Sequence, residues 1–415
     1  RRRLPARRFR VSGRHGDRTL VYTAAALRGL AAGSISVLAA VYLAKRGFDE
    51  SEVGFVLTAG FFGVAGGTAY STFLADRVGR RRSLVALASL AAGGGLAFAL
   101  LESRWALAVA AFLGMLNTQG TDRGGAQALE QAILPATASE HERTQVFAWY
   151  NALQDAGTAV GALLAALPAL LRDRFGVAEA HAYDATLVGY SLLLAGAALA
   201  YTRLSPAAER AAAAPPAHAL HAPEAVRRAV RNFSLLAGLD AFGGGFIGSA
   251  LIAYFLYLRF GVSEGALAAL FLAARVMTVL SHFVAAWLAR RIGLVNTMVF
   301  THLPSGLLLL TLPLAPTFPI AAALFVVREG LSEMDVPTRQ SYLMAIVPAH
   351  ERAWASGLSQ LARASGRIAA PALAGGAMQA GALWAPLVAG ALIKIGYDLL
   401  LWRAFRRIRA PEEEH

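Results

Sequence analysis

No cysteine occurs anywhere in the 415 residues, which excludes disulfides and thiolate metal sites. Charge is scarce as well. Asp, Glu, Lys and Arg together make up 16% of the chain, against about 25% in an ordinary soluble domain. Of the 39 basic residues only Lys45 and Lys394 are lysines, and this leaning toward arginine and alanine is the bias of a GC-rich bacterial genome. H-E-x-x-H, G-x-S-x-G and a nucleotide-binding loop are all missing, which argues against an intramembrane enzyme and against an ATP-driven pump. The apolar stretches lack the alternation of barrel strands and the wet faces of a soluble solenoid. What remains is apolar sequence: 56% hydrophobic residues and a mean hydropathy of +0.50.

A helix crossing ~30 Å of hydrocarbon needs roughly 20 mostly apolar residues. By that measure twelve spans are expected, near 19–43, 53–75, 83–101, 105–134, 145–171, 184–202, 233–258, 264–289, 295–313, 317–347, 353–376 and 381–402. The fold class is therefore all-α membrane protein. The net charge of +13 is distributed by topology rather than by nucleic-acid contact. Arginines crowd the N-terminus, the loop at 77–82, the centre (Arg203 to Arg231), Arg290–Arg291 and the C-terminal tail, while intervening loops are short or mixed. This positive-inside pattern places both termini and the central loop in the cytoplasm, with an uncleaved first helix. The expected layout is a basic N-terminus (1–18), a six-helix bundle (19–203), a polar Ala/Pro-rich linker (204–231), a second bundle (232–403) and a tail (404–415).

The two bundles echo each other. Leu27-Arg28-Gly29 with Tyr42 matches Leu239-Asp240-Ala241 with Tyr254 at an offset of 212, and Ala75–Gly79 matches Ala289–Gly293 at 214. Asp122, Gln127 and Pro135 match Asp335, Gln340 and Pro348 at a constant 213, with the breakers Gly124 and Pro337 at one level. Glu142-Arg143 then matches Glu351-Arg352. Two parallel six-helix repeats about an axis along the membrane normal are a transporter plan, with the substrate site between the repeats.

The stretch Leu74-Ala75-Asp76-Arg77-Val78-Gly79-Arg80-Arg81-Arg82 between the second and third spans resembles the loop motif of the major facilitator superfamily. With the six-plus-six plan, the resemblance covers the whole chain. It departs from proton-driven drug exporters in Thr72, in Leu116, and in a fifth span that reads Asp155–Gly161 without their glycine-proline motif. The resemblance implies a rocker-switch carrier in which Asp76, Arg77, Gly79, Arg80 and Arg81 form a conformational latch. Asp76 would sit at a helix N-terminus and the arginines would pair with acids across the halves. It also implies that spans 1, 4, 7 and 10 line the cavity.

Each ionisable group at the bilayer centre costs at least ~2.5–3.5 kcal/mol, so those inside the spans are candidate functional groups. A balanced set of eight basic and eight acidic groups points to internal ion pairs around a water-filled cavity. Arg28, Asn117, Gln119, Arg123, Gln127, Tyr150, Gln154, Tyr254, Arg328 and Gln340 are the candidate substrate ligands. Asp122, Asp155, Asp240, Glu329, Glu333 and Asp335 are candidates for proton coupling or charge pairing. Glu130, Arg275 and Arg339 read as structural pairs, and His282 and His302 as isolated hydrogen-bonded groups rather than metal ligands. Arg28 or Arg123 would hold an anionic group by charge-assisted hydrogen bonds. Asp122, Asp240 or Asp335 would exchange a proton as its cationic partner moves away. The expectation is a monomeric secondary transporter of a bacterial inner membrane, without cofactor. It would move a small polar organic solute, anionic or zwitterionic, with protons as coupling ion and the lipid bilayer as its other partner. Alternatives on the same fold are a divalent-metal exporter using oxygen ligands, or a drug exporter. A non-transporting receptor and an intramembrane enzyme are the alternatives from other classes.

Overall fold

A membrane leaves no water for exposed backbone groups, so apolar segments satisfy them internally as helices. The computed structural model describes residues 12–119, 124–137, 143–209, 224–335, 338–339, 342–343, 347 and 352–406, and their regular structure is helical throughout. One half contains α1 (Ser12–Lys45), α2 (Glu50–Phe73), α3 (Arg80–Leu100), α4 (Arg104–Leu113), α5 (Gly125–Ile133), α6 (Arg143–Leu164), α7 (Leu167–Phe175) and α8 (Glu179–Thr202). The other contains α9 (Glu224–Phe246), α10 (Ser249–Phe260), α11 (Glu264–Ile292), α12 (Leu294–Thr311), α13 (Phe318–Ser332), α14 (Arg352–Gly366), α15 (Ala370–Gln379) and α16 (Ala385–Phe405).

Among the described residues nine segments are long and apolar enough to cross a membrane. The expected continuous spans at 105–134, 317–347 and 353–376 are not among them. The first is broken into α4 and α5, and the chain turns at Gly114-Met115, with Met115 at φ +49°. Helix α13 stops at Ser332, and α14 and α15 are separated just before Pro371, whose ring nitrogen cannot donate. Backbone groups freed at such breaks find other partners: Ala372 N–H donates to Thr58 Oγ1 of α2 at 2.9 Å. Two breaks meet across the halves. Ala250 N–H, just past the α9–α10 interruption, donates to Thr118 O, and Ser249 Oγ to Gln119 O.

Within each half, glycine lets helices touch backbone to backbone, as lipid-embedded packing requires. A Cβ on Gly33 of α1 would lie 2.2 Å from Thr158 O of α6, and one on Gly161 would lie 2.2 Å from Leu30 O. Gly366 of α14 meets Gly238 O of α9 in the same way, at 2.3 Å. The spaced pair Gly244/Gly248 is different: these glycines face the side chains of Lys394 and Gln119.

The packing between halves is asymmetric along the molecule. At the end carrying Lys45, Glu50 and Glu264, one apolar core runs through both halves, joining Val37, Tyr42 and Val56 to Tyr254, Phe271 and Ala374. There α2 crosses α15, with Gly54 against Pro371 and Gly375, and Tyr183 Oη donates to Glu264 Oε1 at 2.5 Å. At the end carrying the Asp76–Arg82 loop the apolar residues form two cores. One lies wholly in the first half (Val21, Leu84, Ile133, Tyr201), the other wholly in the second (Phe233, Met298, Tyr342, Leu401). The described halves are therefore joined at one end and packed separately at the other.

Helix α2 opens on a capping box: Asp49 Oδ1 accepts from Glu52 N–H at 2.8 Å, and Glu52 Oε2 accepts from Asp49 N–H at 3.0 Å. Removing the cap with Asp49→Ala is expected to cost about 1 kcal/mol. A small drop in the thermal midpoint of the purified protein checks this, and an unchanged midpoint contradicts it.

Candidate functional site

Charged side chains in the second half converge on Asp240 of α9, which is 3% exposed. Its Oδ1 accepts from Lys394 Nζ of α16 at 2.6 Å, and its Oδ2 from an Arg363 guanidinium nitrogen of α14 at 2.8 Å. Arg339 stands 3.5 Å from the same Oδ2 and also pairs with Asp335. The network continues from Lys394 Nζ to His302 Nε2 of α12 at 3.3 Å, and from His302 Nδ1 to Asp398 at 2.8 Å. Arg328 and Glu329 pair beside it on α13. A cavity of about 90 Å³ lies among these groups, with Gln119 of the first half also in its lining.

The first half holds a smaller buried network. Arg28 of α1 stands 2.6 Å from Glu130 of α5, which is fully buried. Tyr150 Oη and Tyr201 Oη each donate to a Glu130 oxygen at 2.6 Å, and Arg28 also donates to Tyr201. A buried charge persists only when paired and hydrogen-bonded, and Glu130 meets both conditions. Arg28 closes one end of an otherwise mainly apolar cavity of about 80 Å³.

Between the halves lies the largest of the three cavities, about 230 Å³, bounded by α2, α5 and α14. Asn117, Gln127, Gln131 and Gln360 give it uncharged donors and acceptors, and Arg363 and Arg367 give it cations. Those two arginines also line the cavity beside Asp240, so the spaces adjoin. The chamber reaches Thr72 and Gln131, in the last turns of α2 and α5, near the end where the halves pack separately.

The Major Facilitator Superfamily pattern matches residues 21–371. The chain belongs to this superfamily. A curated relative, an uncharacterized membrane protein of Saccharomyces cerevisiae, is 21% identical over 399 residues, covering 89% of each chain. The fold is shared with the D-xylose-proton symporter (TM-score 0.71, 14% identity, 96% of this chain and 98% of that one). It is shared also with a bacterial homolog of the human lysosomal transporter Spinster in its inward-facing, occupied conformation (0.70, 15%, 96% and 99%). The nucleoside transporter NupG superposes with a TM-score of 0.68 at 14% identity, over 94% of this chain and 98% of that one.

Within this superfamily fold, Asp240, Arg328, Glu329, Glu333, Asp335 and Gln119 come together around the cavity of the second half. Asn117 and Gln127 face the chamber between halves, with Gln127 donating to Gln154 at 3.2 Å behind it. Tyr150 is turned to Glu130, away from the chamber, and Tyr254 lies in the shared apolar core; neither lines the three cavities. Asp155 is on an exposed face of α6. Asp122, Arg123 and Gln340 lie outside the described residues, as do Pro337 and Pro348.

The loop motif makes its described bonds inside the first half. Asp76 accepts from Arg80 Nε at 2.8 Å, Arg80 donates to Ala132 O at 3.0 Å, and Arg81 donates to Thr202 O. Both arginines thus meet carbonyls near helix C-termini, where the backbone dipole favours a cation. Gly79, at φ +107°, separates the short turn Ala75–Val78 from α3, and Arg77 is exposed. Residues absent from the sequence-based site are Glu130, Arg275, Arg339, Lys394, Arg363, Arg367, His302 and Asp398. The signal for them was present, since each is an ionisable group inside an apolar span.

Proposed function

We propose that this chain is a secondary transporter of the inner membrane of a bacterium. It moves a small polar organic solute, anionic or zwitterionic, by alternating access with protons as coupling ion. The observation that supports this reading most is the contrast between one shared apolar core at one end and two separate cores at the other, with a polar chamber between the halves. With twelve spans, cytoplasmic termini and the arginine-rich loop inside, the chamber faces the cytoplasm. Asp76, Arg80 and Arg81 then sit where the halves must meet in the opposite state, a position suited to the latch. Asp240 is the preferred proton carrier, because its charge is balanced by side chains from α14 and α16 that shift as helices rock.

A divalent-metal exporter is disfavoured by the same geometry. Both Asp240 oxygens are engaged by cations, and Asp335 is paired with Arg339. Counterflow of labelled solute in liposomes tests the carrier reading, and a sensing receptor would give none. Coupling is tested with Asp240→Asn and Asp335→Asn, each expected to abolish uptake driven by a pH gradient while sparing counterflow. Intact pH-driven transport in both variants removes the proton assignment.

A further inference from the structure

The cavity beside Asp240 carries more cation than its own acids neutralise: six Arg and Lys side chains line it against four carboxylates. The carboxylates are largely engaged. Asp240 takes Lys394 and Arg363, Asp335 takes Arg339, and Glu329 takes one arm of Arg328. Two cations retain donor capacity toward the space. Arg328 is 7% exposed, and its Nε makes no hydrogen bond among the described residues. Arg275 of α11 has one described hydrogen bond, to the neutral Ser249 hydroxyl at 3.5 Å. From the opposite half the Gln119 side-chain amide points at the same place, with its buried Nε2 likewise unsatisfied. A buried donor left unpaired has lost its water without replacement, and the loss is greater for a charged group. The arrangement therefore stores affinity for an acceptor.

We propose that this pocket seats the dianionic head group of the transported solute, a phosphate monoester or a pair of carboxylates. Arg275 and Arg328 grip its oxygens, and the Gln119 amide donates from the other half. This deepens the carrier reading and rests on it. Size agrees: a cavity of about 90 Å³ has room for several water-sized groups and so for the oxygens of an oxyanion. The uncharged body of the solute then occupies the adjoining chamber of about 230 Å³, where the amides of Asn117, Gln127, Gln131 and Gln360 meet hydroxyls or ring nitrogens. Together the two spaces just exceed the ~300 Å³ at the lower end of small-molecule sites. Because Gln119 belongs to the first half and the arginines to the second, head-group binding draws the halves together, which a substrate must do in alternating access.

The test is titration of the full chain in nanodiscs with inorganic phosphate, a hexose phosphate, succinate, gluconate and the neutral hexose, read by thermal shift and calorimetry. At least one dianion is expected to bind 10-fold or more tightly than gluconate or the neutral sugar. Preference for the hexose phosphate over inorganic phosphate identifies an organic phosphate as cargo, the reverse identifies the free ion, and succinate alone identifies a dicarboxylate. Arg328→Gln and Arg275→Gln should each weaken that ligand by about 10- to 100-fold, the loss expected for a charge-assisted hydrogen bond. Arg328→Lys, which keeps the charge and the fold, should weaken it less. Tighter binding of the neutral sugar or of gluconate overturns the dianion proposal and leaves the carrier reading standing. The proposal is overturned as well if dianions bind undiminished in Arg328→Gln and Arg275→Gln. An absence of binding by every solute together with an absence of counterflow overturns both.

Discussion

Gly375→Leu is expected to stop transport while leaving a folded protein, and Gly161→Leu is expected to lose the protein itself. The two glycines face the same local geometry. A Cβ at Gly375 would lie 2.2 Å from Glu50 O, and one at Gly161 would lie 2.2 Å from Leu30 O. The difference is which helices the clash separates. Gly161 sits between α6 and α1 inside one half, a contact needed in every state of a rigid bundle. Gly375 sits between α15 and α2, across the halves, in a contact that an alternating cycle must break and remake. Overpacking typically costs about 1–3 kcal/mol, and at 1.4 kcal/mol per tenfold this moves a two-state equilibrium by up to ~100-fold. Gly375→Leu should therefore deplete the state joined at this end by about 10- to 100-fold, and counterflow should fall accordingly. The natural absence of cysteine allows a direct reading. Spin labels on cysteines placed at Lys45 and Tyr257, which meet across the joined end, should move apart in Gly375→Leu. Unchanged label distances with normal counterflow would sink the idea that this crossing is a gate.

Much of the site was legible because membrane burial penalises charge so heavily. Arg28 and Asp240, linked by the repeat offset, each prove to be a hub of the buried network in their own half. Their partners were harder to read. Glu130 read as one of the structural pairs, and it lies fully buried against Arg28, a partner that the repeat offsets did not name. Sequence marked Gly124 as the breaker of the fourth span, whereas the helix already ends at Leu113 and turns at Gly114-Met115. A left-handed methionine is unfavourable by itself, and no local rule announces one; packing against Gly63 and Gly67 of α2 accompanies it here. Tyr254, the repeat mate of Tyr42, entered the site as a phenol at the depth of the charged groups. Both are buried in the shared core, and Tyr42 Oη donates to Phe98 O at 3.2 Å. Repeat position thus carried hubs and core residues alike, and only tertiary packing separated the two.

The same network sets the largest expected loss of stability. Asp240→Asn removes the one carboxylate that Lys394 and Arg363 share, and leaves Arg339 beside them, so three buried cations face one another across a neutral amide. Deleting one member of a buried ion pair typically costs about 3–5 kcal/mol, because the remaining charge is desolvated and unmatched. Lys394→Met should cost less, since Asp240 keeps Arg363 at 2.8 Å. The double variant should be more stable than Asp240→Asn alone, with a coupling of roughly 0.5–3 kcal/mol between the sites. Thermal or denaturant unfolding of the four proteins in one detergent measures the cycle, and strict additivity would show that Asp240 and Lys394 do not act as a pair. The labels at Lys45 and Tyr257 then separate two origins of the effect. If Asp240 carries the proton, the neutral amide imitates its protonated form, and the label distance should change along with the melting temperature. A lower melting temperature with an unchanged distance would make the network a structural brace and move the proton to another carboxylate, with Asp335 the next to be tested.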